Sequence, residues 1–175
     1  DYQPSRGLGD VYKRQEYSQP LYVNSPYGIS ISHNGNLVNT EELAKELYKD
    51  NYRHLNTSSD SEVILNVFAH ELQKEGSFNP SPEQIFKAVE KTHLRLKGAY
   101  SVLLMISGVG LVAIRDPKGI RPLILGKKDN DLIGADYMIA SESPALSALE
   151  FEIEGDLRPG EACLLYTSPS PRDGW

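Results

Sequence analysis

The chain is poor in the residues that hold small or specialised folds together: one cysteine, one tryptophan, two methionines and four phenylalanines in 175 residues. A single cysteine excludes an internal disulfide and any Cys-rich metal site, which suits a reducing compartment such as the cytoplasm. Long apolar runs are lacking too. The longest, Val102–Ile106, falls far short of the roughly 18 residues a membrane helix needs. Residues 1–15 carry no apolar stretch of the signal-peptide type. Positive charge is in deficit, with 18 Lys and Arg against 24 Asp and Glu for a net charge of −6, so there is no basic stripe to offer nucleic acid. No P-loop, G-x-G-x-x-G, G-x-S-x-G or H-E-x-x-H motif occurs. The four histidines, His33, His54, His70 and His93, show no metal-ligand spacing. With 39% hydrophobic and 24% charged residues, the composition is that of one globular domain with a sizeable core.

The two ends read as foreign to the protein. One choice of codons for residues 5–15 (SRGLGDVYKRQ) has, as its reverse complement, a coding sequence for residues 163–172 (CLLYTSPSPR), and Asp173 fits the incomplete codon that follows. A transposase-type sequencing adapter flanking an insert in inverted orientation produces this relation, and added segments are set aside in reasoning about a fold. Residues 1–15 and 163–175 are therefore expected to be adapter-derived and 16–162 native. The alternative is a basic arm and a Ser/Pro-rich tail. Setting the ends aside removes Cys163, so any thiol chemistry in the chain would be accidental.

Within the insert, residues 27–32 (YGISIS) alternate apolar and small polar side chains and lead into His33-Asn34-Gly35-Asn36, which reads as a strand ending in a tight turn. Asn39, with Glu42 three residues on, predicts a helix start with Leu43, Leu47 and Tyr48 as its apolar stripe. Ser59-Asp60-Ser61-Glu62 is a second capping-box pattern, opening a helix to about Lys74 with Ile64, Val67, Phe68 and Leu72 on one face. Ser81-Pro82-Glu83-Gln84 is a third, followed by Ile85, Phe86, Val89, His93 and Leu96 at helical spacing. From Ala99 the pattern becomes that of strands: a hairpin about Ser107-Gly108, a turn at 117–119, strands over 120–128 and 136–141, a short helix over 142–149, and strands over 151–157 and from Glu161. Strand, helices, then a run of strands predicts an α+β, layered antiparallel architecture.

Few residues could carry chemistry. The Asn34 side-chain amide beside the Gly35 N–H is the kind of donor pair an oxyanion hole uses, although on spacing alone a hairpin turn explains both residues. Asp60 could bind a substrate ammonium at a loop–helix junction, or simply favour the first turn of its helix through the macrodipole. His93 reads as a core-edge histidine and His70 as a solvated one.

Six segments narrow these alternatives: residues 19–43 (QPLYVNSPYGISISHNGNLVNTEEL), 53–72 (RHLNTSSDSEVILNVFAHEL), 98–105 (GAYSVLLM), 114–128 (IRDPKGIRPLILGKK), 136–146 (DYMIASESPAL) and 157–162 (LRPGEA). In this order they closely resemble the N-terminal class II glutaminase domain of the amidophosphoribosyltransferases. The HNG segment alone is shared by the wider class II amidotransferases, including glucosamine-6-phosphate synthase; the RDPxGIRPL, ASES and QPxYVNSPYGI segments are more specific. Two alternatives remain: a different class II amidotransferase related to glucosamine-6-phosphate synthase, and a fold kept only for binding or interaction. The resemblance implies an N-terminal-nucleophile hydrolase αββα sandwich, incomplete here for want of its first strands. It makes Asn34 and Gly35 the oxyanion hole and Asp60 the site for the α-amino group of glutamine. It implies a cysteine nucleophile that this chain does not contain, so the chain alone is expected to be inactive. It further implies transfer of ammonia to phosphoribosyl pyrophosphate in the parent enzyme, with Mg2+ for that substrate, a homo-oligomeric (tetrameric) parent and a cytoplasmic location. Some branches carry an iron–sulfur cluster on ligands outside this segment. Arg115, Asp116, Arg121 and Glu142 match family segments and are expected to be structural or domain-contact residues.

Overall fold

The computed structural model describes residues 18–76, 79–130 and 134–166. Two antiparallel sheets carry the fold. The larger, in spatial order β1-β2-β3-β4-β8, is built from β1 (Leu21–Val23), β2 (Ile29–Leu37), β3 (Gly98–Ile106), β4 (Gly110–Arg115) and β8 (Ala162–Tyr166). The smaller, in order β6-β5-β7, holds β5 (Ile124–Asn130), β6 (Gly134–Ala140) and β7 (Glu152–Asp156). Between β2 and β3 run three helices, α1 (Thr40–Asn51), α2 (Asp60–Lys74) and α3 (Pro82–Arg95); a short α4 (Ser143–Ala148) joins β6 to β7.

Strand alternation builds the layers. Ile29, Ile31, Val102, Leu104, Ile106, Val112 and Ile114 belong to the core shared with α1–α3, whereas Leu103, Leu111, Ala113, Cys163 and Leu165 meet Leu123, Leu125, Ile139 and Leu157 between the sheets. A residue-by-residue switch of face is what the pleat requires. On the outer side of the smaller sheet, Leu146 of α4 packs over Gly126, where an added Cβ would come within 2.9 Å of it. The layers are thus helix, sheet, sheet, helix, as expected.

The helix starts obey local rules in part. Ser81 and Gln84 form the reciprocal capping box. Ser59 caps α2 through Ser61 N–H, but Glu62 does not return the bond. Its buried carboxylate instead accepts four bonds from the backbone N–H and side chains of Asn56 and Thr57, at 2.7–3.0 Å. Asn39 flanks α1 without capping it. Its amide accepts from Lys97 N–H and donates to Arg95 C=O, tying the start of α1 to the α3–β3 connection. Tertiary partners thus displaced two expected local bonds. Tyr48, expected on the buried stripe, is 58% exposed and meets His54 edge-on.

Residues 1–15, and 167–175 of the C-terminal segment read as foreign, lie outside the described residues. Residues 163–166 lie in β8, where Cys163 pairs with Ala113; Cys163 and Leu165 face the space between the sheets, and Leu164 packs on the helix side.

Burial pushes His33, His70 and His93 below the ordinary histidine value of 6.5. The folded chain therefore binds protons at these rings less readily than the unfolded chain does. Stability from this source is complete above about pH 6.5 and declines as pH falls toward the folded values. The urea midpoint is expected to be lower at pH 5.5 than at pH 7.5; an equal or higher midpoint would remove the argument.

Candidate active site

The expected turn at His33–Asn36 is not a turn. β2 runs straight through it, pairing Asn34 with Ser101, Gly35 with Tyr100 and Asn36 with Ala99. Non-local pairing with β3 overrides the turn preference of Asn and Gly. Gly35 is required for a different reason: its φ is +149°, and a Cβ there would collide with the carbonyl oxygen of Ala99 on β3.

What β2 offers on its other edge is the centre of the site. β1 covers only Ile29–Ile31. At the next hydrogen-bonding position the Gln19 side chain stands in for a strand, accepting from His33 N–H and donating to His33 C=O. Two residues further along the same edge lies Gly35, and two beyond that Leu37 N–H donates to Asp60 Oδ2 at 3.2 Å. Because N–H groups of alternate residues leave a strand on the same side, the Gly35 N–H is directed off this edge between Gln19 and Asp60. Asn34 rises from the opposite face, lining a cleft of about 180 Å³ between the sheets with Ser32, Ser101, Leu103, Leu123, Ile139 and Ser141. Asn34, facing this cleft, and Gly35, on the open edge, are thus chain neighbours at one corner of β2.

Asp60 comes to this edge on the first turn of α2. Its Oδ1 is 3.6 Å from His33 Nδ1, and its side chain is 21% exposed against 2% for His33. Gly35 lies one two-residue strand repeat, roughly 7 Å, from the Leu37 N–H that Asp60 holds. The Gly35 N–H and the Asp60 carboxylate thus stand apart by a distance comparable to an extended amino-acid side chain. The structure brings all three expected site residues together.

Sequence reasoning gave no role to His33, Ser61 or Gln19. His33 Nδ1 lies 3.0 Å from Ser61 Oγ, which also accepts from Gln19 Nε2. Adjacency to Asn34 was the only signal for His33, and nothing in the spacing joins Gln19 to Ser61. Of the remaining expected residues, Asp116 and Arg115 hold a loop together. Asp116, fully buried, accepts from the N–H groups of Lys118, Ile120 and Arg121. Arg115 closes the same loop by donating to the carbonyls of Gly119, Arg121 and Leu157. Arg121 is exposed and close enough to His33 to disfavour its protonation. Glu142 flanks α4, exposed and without a capping bond. His93 binds the hydroxyl of the buried Tyr100 at 2.8 Å, and His70 is half-buried rather than solvated.

Cys163 is not placed to serve this corner. It lies on β8, three strands from β2, or roughly 14 Å at the usual strand spacing, and burial with Glu161 nearby pushes its thiol up, away from thiolate.

Two layered antiparallel sheets with helices on their outer sides are the architecture of the N-terminal-nucleophile type of glutamine domain, as in the solved relatives described next. The glutamine amidotransferase domain family matches residues 10–148, and the chain belongs to it. It is 55% identical to the amidophosphoribosyltransferase of Pseudomonas aeruginosa over 145 residues and 52% identical to that of Escherichia coli, covering 83% of this chain and 29% of each relative. The yeast Saccharomyces cerevisiae enzyme of the same name is 46% identical over 85% of the chain. Among solved structures, glutamine phosphoribosylpyrophosphate amidotransferase of Bacillus subtilis, complexed with ADP and GMP, superposes with a TM-score of 0.66 at 29% identity, over 86% of this chain and 30% of that one. A structure of the allosteric regulatory enzyme of purine biosynthesis gives 0.65 at the same identity and the same coverage. The chain therefore spans less than a third of the length of these relatives.

Proposed function

We propose that this chain is the glutamine-binding part of an amidophosphoribosyltransferase. The observation that carries the reading is the Asp60 carboxylate held on the open edge of β2 beside Gly35. In this reading Asp60 takes the α-ammonium of glutamine, and the side chain extends along the edge. Its carboxamide oxygen then sits at the Asn34 amide and the Gly35 N–H, donors fixed before any charge develops on that oxygen. Attack on the amide carbon requires a thiolate. Cys163 is the only cysteine in the chain and is remote, so the 175 residues alone bind glutamine without turning it over. In the whole enzyme the released ammonia passes to phosphoribosyl pyrophosphate, giving 5-phosphoribosylamine, the first committed intermediate of purine synthesis. That parent works as a homo-oligomer in the cytoplasm.

No helix among the described residues is long and apolar enough to cross a membrane. Among those residues no three His, Cys, Asp or Glu side chains gather as metal ligands.

Calorimetric titration of the purified chain with L-glutamine tests the reading. Binding is expected, Asp60→Ala weakens it by about tenfold or more, since a charge-assisted pair is lost, and no glutamate is released. Equal binding by Asp60→Ala, or glutamate release at a rate that survives Cys163→Ser, would overturn it.

A further inference from the structure

We infer that His33 is a positioning residue for the Asp60 carboxylate: its ring clamps the first turn of α2 against β2 and holds Asp60 where a ligand's ammonium meets it. The inference rests on the reading of Asp60 as the ammonium site and adds to it a residue with a measurable signature.

The geometry is a clamp with two jaws. Leu37 N–H holds Oδ2 at 3.2 Å. On the other side the His33 ring is bonded through Nδ1 to Ser61 Oγ at 3.0 Å, and the same Nδ1 faces Asp60 Oδ1 at 3.6 Å. The imidazole is the buried member of the pair and the carboxylate the presented one, at 2% and 21% exposure. Gln19 braces the arrangement from outside, reaching both His33 backbone groups and Ser61 Oγ.

The ring's second nitrogen fixes its tautomer. Nε2 is buried with no hydrogen-bond partner. An orphaned buried N–H is rarer than an orphaned acceptor, so the proton sits on Nδ1, where it faces Ser61 Oγ and Asp60. Charging the ring would bury an unpartnered N–H at Nε2 and set an imidazolium 3.6 Å from Asp60. That cation would compete with a ligand's ammonium for the same oxygens. The groups bearing on the ring are Asp60 from α2 and Arg121 from the loop before β5. Burial lowers the ring's proton affinity most, Asp60 raises it and Arg121 lowers it. As pH falls the competing charge therefore arrives below the ordinary histidine range, and glutamine affinity falls with it.

The test joins two readouts on the full chain: 15N spectra of the His33 ring against pH, and L-glutamine affinity over the same range. The expected result is an Nδ1–H tautomer, with affinity dropping as the ring titrates. His33→Asn keeps a short side-chain donor, and is expected to bind glutamine at neutral pH yet lose that inflection. His33→Ala weakens binding by about tenfold. Ser61→Ala removes only the partner of Nδ1 and weakens binding in the same direction, which covers the case of an unfolded His33→Ala. Affinity unchanged through the ring's titration, or an inflection that persists in His33→Asn, overturns the inference while leaving the glutamine reading intact. Absence of glutamine binding at every pH defeats that reading instead. The ring then still decides the clamp: a His33 titration left unmoved by Asp60→Asn overturns it.

Discussion

Gly35→Ala is expected to cost at least about 3 kcal/mol in folding stability, because a buried overlap with rigid neighbours joins backbone strain. The residue has φ +149°, and its Cβ would run into the Ala99 carbonyl and stand 2.8 Å from Tyr100 Cα. Both belong to β3 inside a five-stranded sheet, and Tyr100 is further fixed by burial and by the Asp116 N–H that its carbonyl accepts at 2.9 Å. Gly155→Ala is the control that separates strain from collision. Gly155 has a nearly identical φ of +150°, but an added Cβ meets nothing within 4 Å. Its loss is expected to stay near 1–2 kcal/mol, the order given for one strained backbone position. Urea unfolding of both variants beside the parent chain checks this, and equal midpoints for the two would show that the β3 contact is not what makes glycine necessary.

Asp116→Ala is expected to destabilise the chain by about 3 kcal/mol or more. Three backbone N–H groups lose a buried acceptor, each at about 1–3 kcal/mol with partial relaxation. Asp116 has no exposure, and its carboxylate gathers Lys118, Ile120 and Arg121 N–H at 2.9–3.2 Å while its backbone carbonyl accepts from Gly119 and Gly160. The loop so formed joins the two sheets and carries Arg121 to the vicinity of His33. Hydrogen exchange at Lys118, Ile120 and Arg121 should accelerate together in Asp116→Ala, ahead of global unfolding. Unchanged exchange at these three amides would mean that water or the Arg115 clasp replaces the carboxylate.

Gly35 and Glu62 are both visible in the sequence, and neither for its structural reason. Gly35 belongs to an Asn-Gly turn signal, which acts when its neighbours are free to fold back. Here Gly98–Val102 of β3 occupies the pairing positions, and the summed ladder outweighs a local preference worth about 1 kcal/mol. Glu62 has the sequence position of the reciprocal half of a capping box, a motif complete within four residues. It instead reaches back to Asn56 and Thr57, whose N–H groups it alone among the described side chains satisfies. Ser81 and Gln84 keep their box, the Gln84 Oε1 accepting from Ser81 N–H while its Nε2 donates to Glu75 C=O. The hairpin of β3 and β4 was legible for the same reason as the Ser81 cap: its turn and its pairing partners are neighbours in the chain.

The sequence by itself determined the acidic, thiol-poor character of the chain, the starts of α2 and α3, the β3–β4 hairpin and, through its resemblance, the identity of Asn34, Gly35 and Asp60 as candidates. Each rests on composition, on contacts a few residues apart or on a motif. Only the tertiary structure decided that Gly35 lies in mid-strand on an open edge, that Gln19 fills the place where β1 stops, and that Asp60 and His33 meet there. Those outcomes depend on pairings between segments distant in the chain, and side-chain hydrogen bonds become worth making only where burial has removed water as a competitor.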